Sequence, residues 1–297
     1  MFRRSPSAFS LLLLVSANLT LVFGLEPTST VAAPPLRMAL TNNIFREVPE
    51  SEAKQAKDAL KTLVENQTKR PAEISIEEKV SKLATDLADG KLDYGVFLGH
   101  EFAWARQANP KLRPLLIAVA GDIRPTAHVI VRQDCQATGL AQLQGKICAI
   151  PKGSKGFTRL YLTRQCKSLQ KTPQTLFSQV TVPANLEDAL DDVVDGVVQV
   201  TVVDNTALEA FKRRKPGRAV KLKEIQKSEV FPSPVIAYHE GTMDEGNLAK
   251  TREDLLGAND DAEGKRFLTL WKLTRFDKVP EDFEKTLEAC AKSYPAE

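Results

Sequence analysis

Val80-x-x-Leu83-Ala84-x-x-Leu87-Ala88-Asp89-Gly90 runs into the strand-like Leu92–Leu98, and Leu186-x-x-Ala189-Leu190-x-x-Val193-Val194-Asp195-Gly196 runs into Val197–Val203. The second stretch aligns on the first without a gap. Apolar residues at i, i+3, i+4, i+7 and i+8 describe one face of a helix. The Asp-Gly that ends each copy suits a helix stop, because glycine enters the left-handed conformation without a Cβ clash. The β-rich run after it reads as a buried strand. Helix–glycine–strand written twice predicts two similar α/β lobes, and paired lobes leave a cleft between them.

The segments around each copy agree. The first lobe opens with a short strand, Leu36–Leu40, then the polar loop Thr41-Asn42-Asn43, and a helix from about Ser51 to Gln67 with Ala56, Leu60, Leu63 and Val64 on one face. Pro71 breaks the chain, and Glu73–Ile76 reads as an edge strand. The second lobe opens with a strand at Gly145–Ile150, the loop Pro151-Lys152-Gly153-Ser154-Lys155-Gly156, a helix at Phe157–Cys166 and a strand at Val180–Val182. Two further apolar runs, Leu115–Ala120 and Ala127–Val131, are split by Gly121–Pro125. After Pro234–Tyr238 come three helical stretches to Tyr294, marked by Phe267, Leu270 and Trp271 and then by Phe283, Leu287 and Cys290, with no third copy of the repeat. They supply the material that completes the first lobe. The expected fold class is therefore α/β: two similar lobes with mixed, mostly parallel sheets. The chain crosses between the lobes near Gly121–Thr126 and again near Phe231–Ile236, which makes a two-crossing hinge. The expected division is 34–125 plus 236–297 for lobe 1 and 126–235 for lobe 2, after a leader at 1–33.

Composition fits that picture. The chain has 297 residues, 42% of them hydrophobic and 27% charged, as expected of a globular protein. A net charge of +3 is too small to argue for nucleic acid. The basic run Lys212–Lys215 has no interleaved aromatics and reads as a solvated helix end. Arg3 and Arg4 precede an apolar stretch from Ala8 to Phe23, with small-residue cleavage points at Val22-x-Gly24 and Val31-Ala32-Ala33. That is the pattern of a signal peptide, so export is expected, with an uncleaved anchor as the alternative. No cysteine lies beside the leader to carry a lipid anchor. Cys135, Cys148, Cys166 and Cys290 allow three full pairings, and the order of residues does not choose among them. Cys148 or Cys135 comes near Cys166 on this layout, whereas Cys290 reads as a small buried hydrophobe. No Cys-x-x-Cys or His-x-x-x-His spacing supports a metal site, and no cofactor motif is present.

In open sheets, ligands bind beyond the carboxyl ends of parallel strands. Four polar loops meet that requirement: Thr41–Asn43, Gly99–Glu101, Lys152–Gly156 and Asp204–Asn205. Ser154, Lys155 and Gly156, ahead of Phe157 at a helix start, offer a hydroxyl, an ammonium and free N–H groups to an anion. The Gly-x-x-x-x-Gly-Lys spacing of a P-loop is missing. Thr41, Asn42, His100, Glu101, Asp204 and Asn205 complete the candidate ligand site, with Asp204 and Glu101 placed to pair with a cationic group. His100, Phe157 and Trp104 are placed to line the cleft. The three histidines, His100, His128 and His239, and the possible nucleophiles Ser154 and Cys148 carry no recognisable flanking motif. His100 beside Glu101 is the one acid–base pair an enzyme would use. The expectation is a binding protein, not an enzyme.

Four stretches resemble the phosphonate-type periplasmic receptors of ABC transporters: Leu87–Glu101, Leu143–Gly156, Val193–Asp204 and Leu255–Leu268, the last followed by Arg275-Phe276. The resemblance runs from about Leu36 to Tyr294 and implies the type 2 periplasmic-binding-protein architecture. It also implies that a small anionic or zwitterionic solute is captured between the lobes and delivered, by a monomeric receptor, to an ABC permease. By position, Gly153–Gly156 matches the family's Ser/Thr-rich turn that holds the phosphonate group, and Asp204 matches an acidic residue that faces a ligand amine. This chain departs in keeping only Ser154 of the hydroxyl cluster, with Lys155 beside it. It also has Pro183-Ala184-Asn185 where the family has Gly-x-His. Two other roles suit the same scaffold: a receptor that presents ligand to a membrane signalling protein, and an exported enzyme using His100 and Glu101.

Overall fold

Leu36, Met38 and Leu40 alternate with Ala39 along the first strand, and all four are buried. Such a strand is covered on both faces, which is why it reads as a continuous apolar run. In the computed structural model, which describes residues 34–296, this strand is β1 (Leu36–Thr41). The expected leader at 1–33 lies outside the described residues. After β1 come α1 (Glu50–Thr68), β2 (Ala72–Glu77), α2 (Val80–Ala88), β3 (Tyr94–Phe97), α3 (Gly99–Ala108) and β4 (Leu112–Val119). The chain then builds β5 (Ala127–Arg132), β6 (Ile147–Ala149), α4 (Gly156–Ser168), the single turn α5 (Pro173–Leu176), β7 (Gln179–Thr181), α6 (Leu186–Asp195) and β8 (Val200–Asp204). It continues through α7 (Asn205–Arg214), the short α8 (Pro216–Ala219) and β9 (Leu222–Lys227). Last come β10 (Val235–His239), α9 (Glu245–Leu256), α10 (Ala262–Leu270), β11 (Arg275–Asp277) and α11 (Phe283–Ser293).

These strands form two mixed sheets, a six-stranded one ordered β11-β4-β10-β3-β1-β2 and a five-stranded one ordered β7-β6-β8-β5-β9. In the first, β2, β1 and β3 are parallel neighbours and β10 is antiparallel beside β3. In the second, β7, β6 and β8 are parallel neighbours and β5 is antiparallel beside β8. β5 is the first strand after the chain leaves the six-stranded sheet, and β10 the first after it returns. Each therefore takes the equivalent place in its sheet, and the repeat extends to topology.

The two repeat copies match in their hydrogen bonds as well. The Asp86 carbonyl accepts from the Lys91 and Leu92 N–H groups, and the Asp192 carbonyl accepts from Val197 and Val198. Gly90 (φ +67°) and Gly196 (φ +74°) hold the left-handed turn between. These bonds keep the chain in the helix-ending turn, so the strands start at Tyr94 and Val200, later than the apolar runs suggest. The helical arm of each copy buries its stripe: Leu83 and Leu87 in one, Leu190 and Val193 in the other, all at 0% exposure.

One face of the first sheet packs on α1, α9 and α10, where Leu36, Met38 and Leu40 meet Leu60, Leu63, Leu248, Leu255 and Phe267. The other face, carrying Ala39 and Phe97, joins Leu83, Phe102 and Leu287 of α2, α3 and α11. That same apolar cluster continues into the second sheet through Cys148, Val129 and Val200 and into α4 through Phe157, Tyr161 and Leu162. The far face of the second sheet is closed by α6 and α7 on Ile130 and Val203.

In the basic run, Lys212 pairs with Glu209 within α7, while Arg214 and Lys215 pair with Glu187 and Asp191 of α6. All four cysteines are free thiols, with Cys148, Cys166 and Cys290 buried. Burial pushes the Cys148 thiol far above its usual range, as suits an inert core side chain. Among the described residues no helix is long and apolar enough to cross a membrane.

Candidate functional site

The carboxyl ends of β1, β3, β6 and β8 carry the loops singled out above, and the structure shows what each side chain does there. Leu98 is the N-cap of α3, so Gly99, His100 and Glu101 are its first turn, not a free loop. A first turn points its N–H groups outward without intrahelical acceptors. Glu101 is 0% exposed, and its carboxylate turns back over this turn. It accepts from Thr41 Oγ1 at 2.6 Å, from Asn43 Nδ2 at 2.6 Å and from the Leu98 N–H at 3.2 Å. Asn43 is thus the partner drawn from the β1 loop, while Asn42 is exposed at the start of a 3-10 turn. Both asparagines sit in the same polar loop, and sequence offers no signal for which one turns inward.

His100 does not pair with Glu101. Its ring packs edge-on against Trp104, with centroids 5.1 Å apart. The Trp104 indole N–H is itself tied to the Tyr294 carbonyl at 2.6 Å. Burial, with the nearby positive charge of Arg46, lowers the His100 pKa to about 4, so the imidazole is neutral at physiological pH. The acid–base couple an enzyme would need is therefore not assembled between these two residues.

On the other sheet, Lys155 is the N-cap of α4 and Gly156 its first residue. Gly156 is one place where the two halves touch: a Cβ there would lie 3.1 Å from His100 Cε1 and 3.4 Å from Leu98 Cδ1. The N-termini of α3 and α4, one from each half, consequently meet at this contact. Phe157 is buried against Phe231, centroids 5.1 Å apart, and acts as a wall rather than an open surface. Ser154 Oγ donates to the Pro151 carbonyl at 2.7 Å. The Lys155 ammonium lies 3.3 Å from Asp204 Oδ1 and 3.3 Å from the Ala120 carbonyl. Asp204, 2% exposed, also caps α7 by accepting from the Ala207 N–H at 3.1 Å. Asn205 accepts from the Thr126 N–H at 3.2 Å and donates to Asp122 at 2.7 Å, so it ties β8 to the outgoing crossing. Thr41, Glu101, His100, Lys155, Gly156 and Asp204 thus gather at the ends of the parallel strands, with Ser154 and Asn205 at the margins. Arg159, which sequence reasoning did not mark, bridges from α4 to Glu47 in the loop ahead of α1 at 2.8 Å. That contact joins residues far apart in the chain and leaves no local trace in the sequence.

Known proteins agree with this architecture. A family model described as "ABC transporter, phosphonate, periplasmic substrate-binding protein" matches residues 46–283. No curated protein sequence matches the chain. Among solved structures, XAC2383 from Xanthomonas citri bound to ATP is 17% identical with a TM-score of 0.57, covering 88% of this chain and 97% of that one. PhnD1 from Prochlorococcus marinus in complex with methylphosphonate is 12% identical with a TM-score of 0.57, covering 86% and 97%. A binding protein component of an ABC phosphonate transporter from Pseudomonas aeruginosa is 15% identical with a TM-score of 0.53, covering 88% and 87%. Identities this low speak for the fold, which is that of the type 2 periplasmic binding proteins. With the family model spanning well over half of its length, the chain belongs to the phosphonate-type periplasmic substrate-binding proteins of ABC transporters.

Proposed function

We propose that this protein is an exported receptor that captures a small anionic or zwitterionic solute, phosphonate- or phosphate-like, and hands it to an ABC permease. The leader at 1–33 directs export. Residues 34–125 with 236–297 form one lobe and 126–235 the other, and they close on the ligand as a monomer. The observation that carries this reading is the meeting of two helix N-termini, α3 and α4, at the His100–Gly156 contact. Their orphan N–H groups and positive dipole ends suit an anion, and Lys155 stands at the same place. Closure adds contacts from both lobes, so binding free energy comes from the difference between open and closed forms.

Calorimetric titration with alkylphosphonates, phosphate esters and inorganic oxyanions tests this reading. Saturable binding is expected for at least one class, with a rise in melting temperature at saturation. The double substitution Ser154→Ala with Lys155→Ala should weaken that binding tenfold or more, about 1.4 kcal/mol. Unchanged affinity in the double variant would place the anion elsewhere.

A further inference from the structure

Two buried carboxylates stand at the strand ends, and each is already engaged by groups of the protein itself. Glu101 spends its oxygens on Thr41, Asn43 and the Leu98 N–H. Asp204 gives Oδ1 to the Ala207 N–H and to Lys155, whose ammonium balances the carboxylate's charge, while Oδ2 has no partner among the described residues. The acids around them are engaged too: Glu47 holds Arg159, and Asp122 accepts from Asn205 and from the Arg124 N–H. A ligand ammonium reaching Asp204 would meet a carboxylate whose charge the tethered Lys155 ammonium already balances. A tethered group presents itself at an effective concentration of roughly millimolar or more, so a free amine starts at a disadvantage. Drawing Lys155 away would also leave its partly buried charge without a carboxylate partner.

Donors, by contrast, are left over. Among the described residues, the N–H groups of Gly99 and His100 in α3 and of Gly156 and Phe157 in α4 donate to nothing. The His100 side chain, 9% exposed, has no hydrogen-bond partner among the described residues, and its Nε2 lies 3.7 Å from a Cβ position on Gly156. Arg159 Nε, in the first turns of α4, is buried without a partner. Arg46 donates to Asn43 and pairs with no carboxylate among the described residues. An ammonium has three N–H bonds, and Lys155 uses two. Unpartnered donors outnumber the acceptors left over, Asp204 Oδ2 and one His100 ring nitrogen, and such a site favours a ligand that brings oxygens and no cation.

We propose that the ligand is a small oxyanion without a cationic group, held between the first turns of α3 and α4, and that Lys155 is an internal counter-ion to Asp204 which excludes amine-bearing analogues. This rests on the reading of the cleft as the solute site and narrows it from anions and zwitterions to anions alone.

The matched pair ethylphosphonate and 2-aminoethylphosphonate differs only by the amine, and calorimetric titration of the full chain with each reads the selectivity directly. Wild type is expected to bind ethylphosphonate at least tenfold more tightly. Lys155→Met uncovers Asp204 and should shift the ratio tenfold or more toward the amine, while Lys155→Arg keeps the counter-ion and the wild-type order. Melting curves of each variant show that it is folded, and Lys155→Arg carries the test should Lys155→Met not fold: an amine preference in it would count against the proposal. Binding of both ligands with the amine equal or preferred in wild type overturns this inference alone, as does an unshifted ratio in folded Lys155→Met. Binding of neither phosphonate overturns the phosphonate reading beneath it as well.

Discussion

His100 illustrates how one buried side chain couples site chemistry to stability. Its imidazole is held near a pKa of about 4, against an ordinary value of 6.5, because burial disfavours the charged form and Arg46 repels it. Between those two values the unfolded chain binds a proton that the folded protein refuses. Stability on this account is whole above pH 6.5 and falls as the pH drops toward 4. At pH 5 the loss is about 2 kcal/mol, from 1.36 kcal/mol per pKa unit. His100→Gln removes the titrating group, so urea unfolding at pH 7 and pH 5 should show a smaller drop for the variant by about that amount. Equal drops would mean that His100 titrates normally in the folded protein. The neighbouring Glu101 shows why the residue-level reading from sequence was incomplete. Strand-end position pointed to it correctly as a polar strand-terminal group, yet its three partners come from the β1 loop and from its own helix start. Which way a carboxylate turns depends on donors supplied by distant parts of the chain, and no local pattern records them.

At the scale of elements, the legible parts were those whose signal is periodic or punctuated. α2 and α6 were visible because one apolar stripe with a glycine stop is enough to specify helix and end. β1, β6 and β8 were visible as short β-rich runs next to polar loops. α3 was not, since Gly99–Ala108 is buried on several sides and carries no polar face to set a period against. β11, a three-residue strand added at the edge beside β4, is too short to show alternation. The turn that ends α2 offers a clean measurement of the glycine stop. Gly90 has φ +67°, and a Cβ built there would meet nothing within 4 Å. Gly90→Ala therefore tests backbone conformation alone, without a packing clash. It should cost about 1 kcal/mol, the penalty of a left-handed L-residue, read as a lower urea midpoint at unchanged slope. No loss would mean that the turn relaxes to another conformation at no cost.

At the scale of the whole molecule, the two sheets are held to each other by more than the crossings. Tyr294, just past α11, is 2% exposed although it lies at the margin of the described chain. Its ring packs on Phe231 of the returning crossing, centroids 4.6 Å apart, and Phe231 in turn packs on Phe157 of α4. The Arg164 guanidinium lies over the ring, 4.6 Å from its centroid, and the hydroxyl donates to Glu229 at 2.8 Å. Arg164 closes the network by pairing with that same carboxylate at 2.6 Å. Because α11 packs on α3 while α4 packs on the second sheet, this one side chain spans both halves and the crossing. Truncating it removes a buried aromatic and leaves Arg164 and Glu229 with only each other, so Tyr294→Ala should lower unfolding free energy by about 3–5 kcal/mol. Tyr294→Phe keeps the ring and loses only the hydroxyl's bond to a charged acceptor, a cost of about 1.5–3 kcal/mol. Urea unfolding of both variants separates packing from hydrogen bonding. A Tyr294→Ala protein within about 1 kcal/mol of wild type would show that the halves are joined chiefly by other contacts, and that the C-terminal aromatic is a passenger on the hinge.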